Sequence, residues 1–469
     1  MPIARLRALE RRWRAGYKPA EGWYNPPVRA IHPLRLLRST WFYLCIAVGM
    51  LALLAVVISS WAYNNDLSVR YHVQVVWGDL RGLLIKQSDV VPAPVVHAAA
   101  PTFAPTATQL PSATAPALAS QAGASASQVS GPSATTVPTQ IPTPTVTALP
   151  PKVALTGFHH EYQLYNNCGP TTFAIDMSYW GWTGGQKVAA AALKPNPDGK
   201  NVSPRELYAY ALTIGYDAYI RVDGDVDTLK RFLANGYPVV VEKGFTCTTN
   251  DHCSGWFGHY STVSGYDDAA GVFILQDSFF GPNLKMSYTD FVANWRAFNY
   301  LYIVFFPAGA AHDSQVQQLL GPALDVNKNY HDALARAQGE ALTSTGQPDA
   351  FAWFNVGTSL ADLQDFGGAA AAYDQARQIG LPYRMLWYQF GPFLSYFYMA
   401  RYQDVVDLAT AAINSTPAPG LQESYYWRGQ SEQSLGQPDA AIADYRTALV
   451  RKATYQPAID ALTKLGQAP

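Results

Sequence analysis

The stretch Gln163-Leu-Tyr-Asn-Asn-Cys168-Gly-Pro-Thr-Thr172 runs directly into Phe173-Ala-Ile-Asp-Met-Ser-Tyr-Trp180. In the second half, large apolar residues recur at positions 173, 177 and 180, which is the spacing of one buried helix face. Gly181 follows at once and is a typical helix stop. The pattern therefore predicts a helix that begins at or just after Cys168.

Cys168 is a candidate nucleophile because of this position. The unpaired N–H groups and the dipole at a helix N-terminus favour a thiolate over a thiol. The thiolate is the reactive form of cysteine. The alternative is a small buried residue that packs a turn before the helix. A base elsewhere in the chain that could pair with Cys168 would favour the nucleophile over the packing residue.

The length and the net charge of the chain limit the classes of protein to which it can belong. A chain of 469 residues has room for two or three domains, and its formal net charge of −1 argues against a nucleic-acid-binding protein, in which an excess of basic residues is expected. Residues 1–40 differ from the rest, since they contain nine basic and two acidic side chains. No cofactor-binding or metal-binding motif stands out.

Residues 41–63 are predicted to form a transmembrane helix. No charged residue occurs between Arg38 and Asp66, and aromatic residues flank the apolar segment at both ends. A cleaved signal peptide is the alternative, but its apolar core would be shorter and its basic segment rarely so long. The positive-inside rule places residues 1–40 in the cytoplasm and everything after residue 63 outside. Cys45 would face lipid or pack within the span.

Residues 64–151 are predicted to join the membrane to the folded part. The first portion, to about residue 91, resembles a short amphipathic segment. Residues 92–151 contain no charged side chain and are dominated by Pro, Ala, Ser and Thr. Such a composition has too few large apolar groups to offset the entropy of folding, which indicates a disordered stalk that leaves the following domains free to move.

Residues 152–310 have the composition of a globular domain. Helices are predicted after Ser203, where Pro204 and Glu206 complete a capping box, and from Asp225 to Gly236. Strands are predicted at 238–242, 260–265, 272–276 and 300–306. Because helices come first and strands follow, we expect an α+β domain with an antiparallel sheet.

The base that Cys168 requires is predicted in two of these strands. His259 stands at the start of one strand and Asp277 at the end of the next, so a hairpin would make them neighbours at one rim of the sheet. Gln163 could donate an amide hydrogen to a tetrahedral oxyanion together with the backbone N–H of Cys168. Taken singly, each residue also fits an ordinary loop or strand position.

The motifs around these residues resemble a known family. Gln163 to Thr172, Gly258-His-Tyr-Ser-Thr-Val-Ser-Gly-Tyr-Asp267 and the later Gln276-Asp-Ser278 are similar to the papain-like cysteine peptidases related to the double-glycine leader peptidases of bacteriocin exporters. The resemblance covers about 155 residues. It implies Cys168 as nucleophile, His259 as general base and acid, Asp277 as the residue that orients the histidine, and Gln163 in the oxyanion hole.

The chain departs from the family at two points. Family members commonly have Asp-Pro where this chain has Asp277-Ser278, which leaves Asp267 or Asp268 as alternatives for the third role. No exporter is attached, because the sequence has neither six spans nor a phosphate-binding loop. Cleavage of a leader peptide therefore does not follow from the resemblance alone.

Two further cysteines lie just before His259. With five residues between them and a position outside the membrane, Cys247 and Cys253 are expected to form a disulfide that stiffens a loop at the cleft. Metal binding with His252 and Asp251 is the alternative, but no second pair of ligands with a usual spacing is visible.

Residues 320–469 contain a repeat of 36 residues. Three columns share this period, and they predict stacked helical hairpins that resemble the tetratricopeptide family. The columns are Tyr330, Phe366, Tyr402 and Pro438; Ala333, Ala369, Val405 and Ala441; and Ala337, Tyr373, Ala409 and Tyr445. Such stacks present a concave face that binds peptides or partner proteins, or they brace a neighbouring domain.

Together these observations predict a membrane-anchored, extracytoplasmic cysteine peptidase whose repeat binds a peptide substrate or a protein partner. An alternative is a tethered adaptor with an inactive papain-like domain. A third possibility is an amidase or acyl transferase that acts on a non-protein substrate.

Overall fold

The computed structural model describes residue 50 and residues 90–94, 148–196, 198–247, 255–415 and 421–469. The predicted transmembrane helix lies outside these residues except for Met50, and so do the basic segment, residues 64–89 and most of the stalk. Cys253, His252 and Asp251 also lie outside them. No helix within the described part of the chain combines the length and hydropathy needed to cross a membrane.

The first half of the described chain is a mixed α+β region. Its strands are β1 (Lys152–Ala154), β2 (Tyr216–Arg221), β3 (Val239–Cys247), β4 (Gly255–Asp267), β5 (Val272–Asp277), β6 (Gly281–Ser287) and β7 (Tyr302–Pro307). Its helices are α1 (Cys168–Tyr179), α2 (Gly185–Leu193), α3 (Pro204–Thr213), α4 (Val226–Ala234) and α5 (Tyr288–Trp295). Six strands pair antiparallel in the order β2-β7-β3-β4-β5-β6, and β1 pairs with the far end of β4.

Helices cover both faces of this sheet, as the alternation of apolar residues along the strands requires. Val240 of β3 packs against the layer formed by helices α1, α2 and α3, in which Phe173 of α1 is buried. Val239 and Val241 face the opposite layer, which includes α4 and α5. The predicted capping box is present, since Ser203 and Glu206 exchange hydrogen bonds at the start of α3. The prediction of an α+β fold with an antiparallel sheet is confirmed.

The rest of the chain is helical. Its helices are α6 (Ala310–Leu320), α7 (Val326–Ala341), α8 (Gln347–Asp362), α9 (Phe366–Ile379), α10 (Gly391–Tyr398), α11 (Tyr402–Asn414), α12 (Gln422–Ser434), α13 (Pro438–Arg451) and α14 (Gln456–Lys464), with a 3-10 turn at Tyr383–Trp387. Phe366, Tyr402 and Pro438 are the first residues of α9, α11 and α13, so the 36-residue period marks the same position in three successive hairpins. The helical region is consistent with repeats.

Close contacts between paired helices recur with the same period. The Tyr373 ring of α9 packs on Gly357 of α8, where a Cβ atom would lie 2.7 Å from it. Tyr445 of α13 packs on Gly429 of α12 in the same way, at 2.8 Å. Both tyrosine side chains are fully buried. A glycine opposite a tyrosine thus sets the helix separation at two places 72 residues apart.

The α+β region and the helical region share one apolar cluster. Trp256 of β4 and Phe298, which follows α5, pack with Phe351 and Phe354 of α8. A long-range ion pair between Glu206 of α3 and Lys452 also joins the two regions. Bracing of the α+β region, one of the three uses expected of the repeat, is therefore visible in the contacts.

Residues 90–94 differ from the expectation of a free stalk. Val91 is buried, and its N–H donates to the carbonyl of Leu381 at 2.7 Å. Val90 forms a β-bridge with Pro382, and the guanidinium of Arg377 donates to the carbonyl of Pro92 at 2.8 Å. The extended backbone of this segment is held by hydrogen bonds of the helical region, which a composition-based prediction cannot foresee.

Candidate active site

Cys168 is the first residue of α1, as the sequence predicts. Its side chain is half-buried, and no other free cysteine occurs among the described residues. The next residue, Gly169, lets the helix approach β4 and the segment before α3, because a Cβ atom there would lie 3.7 Å from the Tyr260 ring and 3.3 Å from Val202. Thr172, one turn later, donates its hydroxyl hydrogen to the carbonyl of Tyr260 at 3.1 Å. The start of α1 is thus fixed against the strand that carries His259.

The loop before Cys168 is held by Gln186 of α2. The side-chain oxygen of Gln186 accepts hydrogen bonds from the Leu164 backbone N–H, the Asn167 amide and the Thr171 hydroxyl, each at 3.0 Å. Its amide nitrogen donates to the carbonyl of Tyr162 at 2.8 Å. Sequence reasoning missed Gln186, because no motif surrounds it and its partners lie 15 to 24 residues away.

Lys194 holds the same loop from its other side. Its ammonium group donates to the carbonyl oxygens of Tyr165 at 3.1 Å and Asn166 at 2.7 Å. Asn166 adopts a left-handed backbone conformation with φ of 50°, which turns the chain into the helix. Lys194 also places a positive charge near Cys168. The sequence analysis did not identify this residue.

His259 lies inside β4, not at the start of a strand as predicted. β4 begins at Gly255, and His259 pairs with Lys243 of β3. The prediction was wrong about this boundary because aromatic residues and glycines at 255–258 interrupt the strand pattern. β4 and β5 do form a hairpin, and β5 pairs with β4 only from Thr262 onward. The end of β5 therefore lies beside His259.

Asp277 is the carboxylate that contacts His259. Its Oδ1 atom is 3.0 Å from Nε2 of the imidazole. Oδ2 accepts a hydrogen bond from Ser261 at 2.6 Å and lies 3.4 Å from the buried ammonium group of Lys243. The backbone N–H groups of Phe279 and Phe280 also donate to Oδ1. Asp277 is fully buried and cannot be solvated by water. Its negative charge is therefore stabilised by these hydrogen bonds and by the nearby ammonium group.

The two alternative aspartates are engaged elsewhere. Asp267 forms an ion pair with Lys152 at 2.7 Å, and Asp268 forms one with Lys230 at 2.5 Å. Both aspartates lie at the end of β4 that is far from His259, since Asp267 is the last residue of the strand and Asp268 follows it. Among the three candidates, the structure brings Asp277 to the histidine.

Gln163 is joined to the residue after Asp277. The Gln163 backbone N–H donates to the carbonyl of Ser278 at 2.8 Å, and the Ser278 hydroxyl donates to the Gln163 side-chain oxygen at 2.9 Å. The serine that replaces the usual proline thus fixes the orientation of the Gln163 amide. Because its oxygen is used, the NH₂ group is the end that remains to donate elsewhere.

The electrostatics of Cys168 and His259 are coupled. Burial would raise the pKa of Cys168, but the hydrogen bond and positive charge of His259, the Tyr260 backbone N–H and Lys194 lower it below its ordinary value. Burial would lower the pKa of His259, but the charge and hydrogen bond of Asp277 and the contact with Cys168 raise it. These opposite shifts favour a thiolate beside an imidazolium.

The charge of Asp277 is stabilised by the same neighbours. Burial would raise its pKa, but His259, Lys243 and the hydroxyl of Ser261 hold the pKa well below its ordinary value. Since Nε2 of His259 faces Asp277, its other ring nitrogen, Nδ1, is the one available to Cys168. The imidazole therefore bridges a sulfur nucleophile and a buried carboxylate.

Two further acids are buried in β3 and α1. Glu242 of β3 is buried, and its pKa is raised well above the ordinary value by burial and by the charge of Cys168. Asp176 of α1 is buried too, and burial raises its pKa to about 8. Asp176 therefore stays protonated at neutral pH. The raised pKa of Glu242 favours its neutral form, which avoids a second negative charge near the Cys168 thiolate.

Cys247 ends β3 and is disulfide-bonded. Pairing with Cys253 stays a prediction, because residues 248–254 lie outside the described part of the chain. Within the described residues, no group of three or more His, Cys, Asp and Glu side chains is arranged to hold a metal ion.

Comparison with known proteins identifies this domain. Residues 155–303 match the model of the Peptidase_C39 like family. The match supports a cysteine-type peptidase domain in this part of the chain, as the sequence motifs predict. No curated protein matches the chain significantly.

Solved structures similar to this chain are peptidases. A C39-like peptidase from Bacillus anthracis is 18% identical and has a TM-score of 0.29; the match covers 34% of this chain and 99% of that one. Xylellain, a cysteine protease from Xylella fastidiosa, is 16% identical with a TM-score of 0.27, over 34% and 88% of the two chains. A double glycine motif protease from an AMS/PCAT transporter, solved with its leader peptide, is 12% identical with a TM-score of 0.25, over 33% and 95%.

Proposed function

We propose that this protein hydrolyses peptide bonds through a Cys168–His259–Asp277 triad, with Gln163 in the oxyanion hole. The observation that carries the proposal is the His259 imidazole, which contacts Cys168 on one side and lies 3.0 Å from the buried Asp277 carboxylate on the other. Asp277 keeps the imidazole in one orientation and stabilises its positive charge. The tethered-adaptor alternative does not explain why these groups are assembled.

In the first half of the reaction, Sγ of Cys168 forms a bond to the carbonyl carbon of the substrate. The negative charge on the carbonyl oxygen is met by the backbone N–H of Cys168, which has no partner within its own helix, and by the Gln163 amide. His259 then gives its proton to the departing amine as the C–N bond breaks. The products of this step are a thioester on Cys168 and the free amine.

In the second half, water replaces the amine. Neutral His259 removes a proton from the water, whose oxygen attacks the thioester carbon. The C–S bond breaks, the carboxylic acid product leaves, and the thiolate–imidazolium pair is restored. Lys194 and Asp277 stabilise this pair between turnovers.

The substrate class follows from the family, which acts on peptides or proteins. We place the peptidase on the outer face of a membrane, anchored by residues 41–63, because basic residues precede that segment. A disulfide between Cys247 and Cys253 would suit this location. The helical region, with its repeated hairpins, is proposed to bind a protein substrate or partner.

The experiment is peptide hydrolysis by the full-length protein, with a random peptide library as probe and mass spectrometry of the products. We expect cleavage by the wild type and none by Cys168→Ala. Asp277→Asn should reduce the rate by about 10²- to 10⁴-fold, as loss of an orienting carboxylate does elsewhere. Asp267→Asn, the matched control at the far end of β4, should retain activity. Equal cleavage by wild type and Cys168→Ala would refute the proposal.

A further inference from the structure

One edge of β4 is left open next to His259. Residues 255–261 pair with β3 on one side, whereas β5 pairs with β4 only from Thr262 onward. Alternate residues of a strand direct their backbone groups to the same side. Trp256 and Gly258 therefore present a carbonyl and an N–H group along one edge, directly before His259.

The helical region occupies this open edge. Arg384, in the 3-10 turn Tyr383–Trp387, donates to the carbonyl of Trp256 at 3.0 Å, and its guanidinium lies 3.8 Å from the centre of the Phe257 ring. The backbone N–H of Gly258 also interacts with the hydroxyl of Tyr388 and lowers the pKa of that hydroxyl. Two side chains from a different part of the fold thus take the place of a neighbouring strand.

Tyr388 also contacts Gly258 through its ring. A Cβ atom on Gly258 would lie 3.0 Å from the Tyr388 ring and 2.6 Å from Phe298, so only glycine leaves room for this contact. The ring packs edge-on against Trp256 at 6.0 Å between centroids. Since Gly258 precedes His259 directly, any movement of Tyr388 changes the backbone that carries the imidazole.

The Tyr388 hydroxyl lies within the electrostatic range of the nucleophile. Burial raises its pKa far above the ordinary value, and the charge of Cys168 raises it further. The hydroxyl therefore stays neutral while Cys168 is a thiolate. The 3-10 turn is itself held in place, because Gln389 donates to the carbonyl of Ala297 at 3.0 Å.

We propose that Tyr388, supported by Arg384, is a positioning residue of the active site, supplied by the helical region to the open edge of β4. It acts through Gly258, by fixing His259 at the distance and angle at which the imidazolium pairs with the Cys168 thiolate. The inference rests on the proposed function, since it assigns a role relative to that pair. The helical region is then part of the catalytic unit and more than a recruiting platform.

The test measures the rate at which iodoacetamide alkylates Cys168 in the full-length protein as a function of pH. In Tyr388→Phe the ring remains and the hydroxyl is lost. We expect the alkylation rate to begin rising at a higher pH than in the wild type. Below neutral pH we expect the rate to fall about three- to tenfold, which is the effect that loss of one hydrogen bond produces. Above the pKa of a free thiol the rate should match the wild type.

Tyr398→Phe is the matched control, because Tyr398 is an exposed tyrosine of α10. Its profile should match the wild type. The other titratable groups that face the pair are unchanged in both variants: Lys194, Glu242, Lys243 and Asp277. Thermal unfolding, recorded alongside, reports any purely structural effect.

The outcomes separate the inference from the proposed function. If wild-type Cys168 reacts as a free thiol does, the proposed function fails. If the wild type shows the low-pH reactivity and folded Tyr388→Phe has the same profile, with only its unfolding temperature lowered, Tyr388 is merely structural and the inference is overturned. Should Tyr388→Phe not fold, Arg384→Leu decides in the same assay, and an unchanged profile would equally overturn the inference.

Discussion

At the scale of single residues, Asp277 accepts hydrogen bonds from His259 on one side and Ser261 on the other. The sequence predicted this neighbour from the hairpin rule, but it left Asp267 and Asp268 open, since the length of β4 was unknown. β4 extends to Asp267, and this extension carries both alternatives away from the histidine. The candidate residues were readable from motifs, whereas the choice among them required the strand register.

Asp176 allows a prediction about stability and pH. An unfolded aspartate ionises near pH 4, whereas burial raises the pKa of Asp176 to about 8, so the folded form stays neutral over this interval. The unfolded state thus loses a proton that the folded state retains, and stability falls as pH rises from about 4 to 8. Asp176→Asn removes this dependence.

As the pH rises from 4 to 7, we expect the free energy of unfolding of Asp176→Asn to increase relative to that of the wild type by about 2–4 kcal/mol. Urea unfolding at both pH values measures the difference. Asp290→Asn, at an exposed helix start, is the control and should show no such change. A constant stability difference between wild type and Asp176→Asn would show that Asp176 is not the titrating group.

At the scale of elements, the sequence predicted those with clear end signals. α1 and α4 begin and end close to the predicted residues, and α3 begins at its predicted cap, because caps and glycines mark these positions. β6 was missed, since Gly-Pro-Asn at its start is typical of a loop and only pairing with β5 makes it a strand. α2 was missed as well, and with it Gln186, whose role depends on a loop in a different part of the sequence.

Gln186→Ala should loosen the loop that carries Gln163 and the start of α1. Three donors and one carbonyl would lose their partner, which costs about 1–3 kcal/mol for a buried group. Displacement of the loop should lower the rate of peptide hydrolysis by about 10- to 100-fold. Steady-state kinetics on a cleaved library peptide measures it.

Gln318→Ala is the matched control for this prediction, because Gln318 is exposed on α6. It should have wild-type kinetics. If Gln186→Ala turns over peptide at the wild-type rate while its stability falls, the hydrogen bonds of Gln186 support the fold and do not set the geometry of the loop.

At the scale of the whole molecule, the described chain from residue 90 onward forms part of one compact unit. The sequence predicted a repeat and a peptidase but not their contact, because the shared cluster of Trp256, Phe298 and Phe351 joins residues about 100 positions apart. Nor did it predict that residues 90–94 bind the helical region.

Val91 provides a test of that attachment. Val91→Asp would place a charge in a buried apolar site, and we expect it to release residues 90–94 from Leu381 and Pro382. Hydrogen exchange measures the result, since the Val91 position should lose the protection that its bond to Leu381 gives. Val90→Asp is the control, because Val90 is 45% exposed and should leave the protection intact. Equal exchange in both variants would contradict the attachment.

If His259 holds Cys168 as a thiolate, the pH dependence of iodoacetamide alkylation reveals it. A free thiol, with a pKa of about 8.5, reacts slowly below neutral pH. We predict that Cys168 of the full-length wild type is already reactive below neutral pH, and that His259→Ala returns its rate to that of a free thiol. A wild-type profile that coincides with that of His259→Ala and rises only near the free-thiol pKa would contradict it.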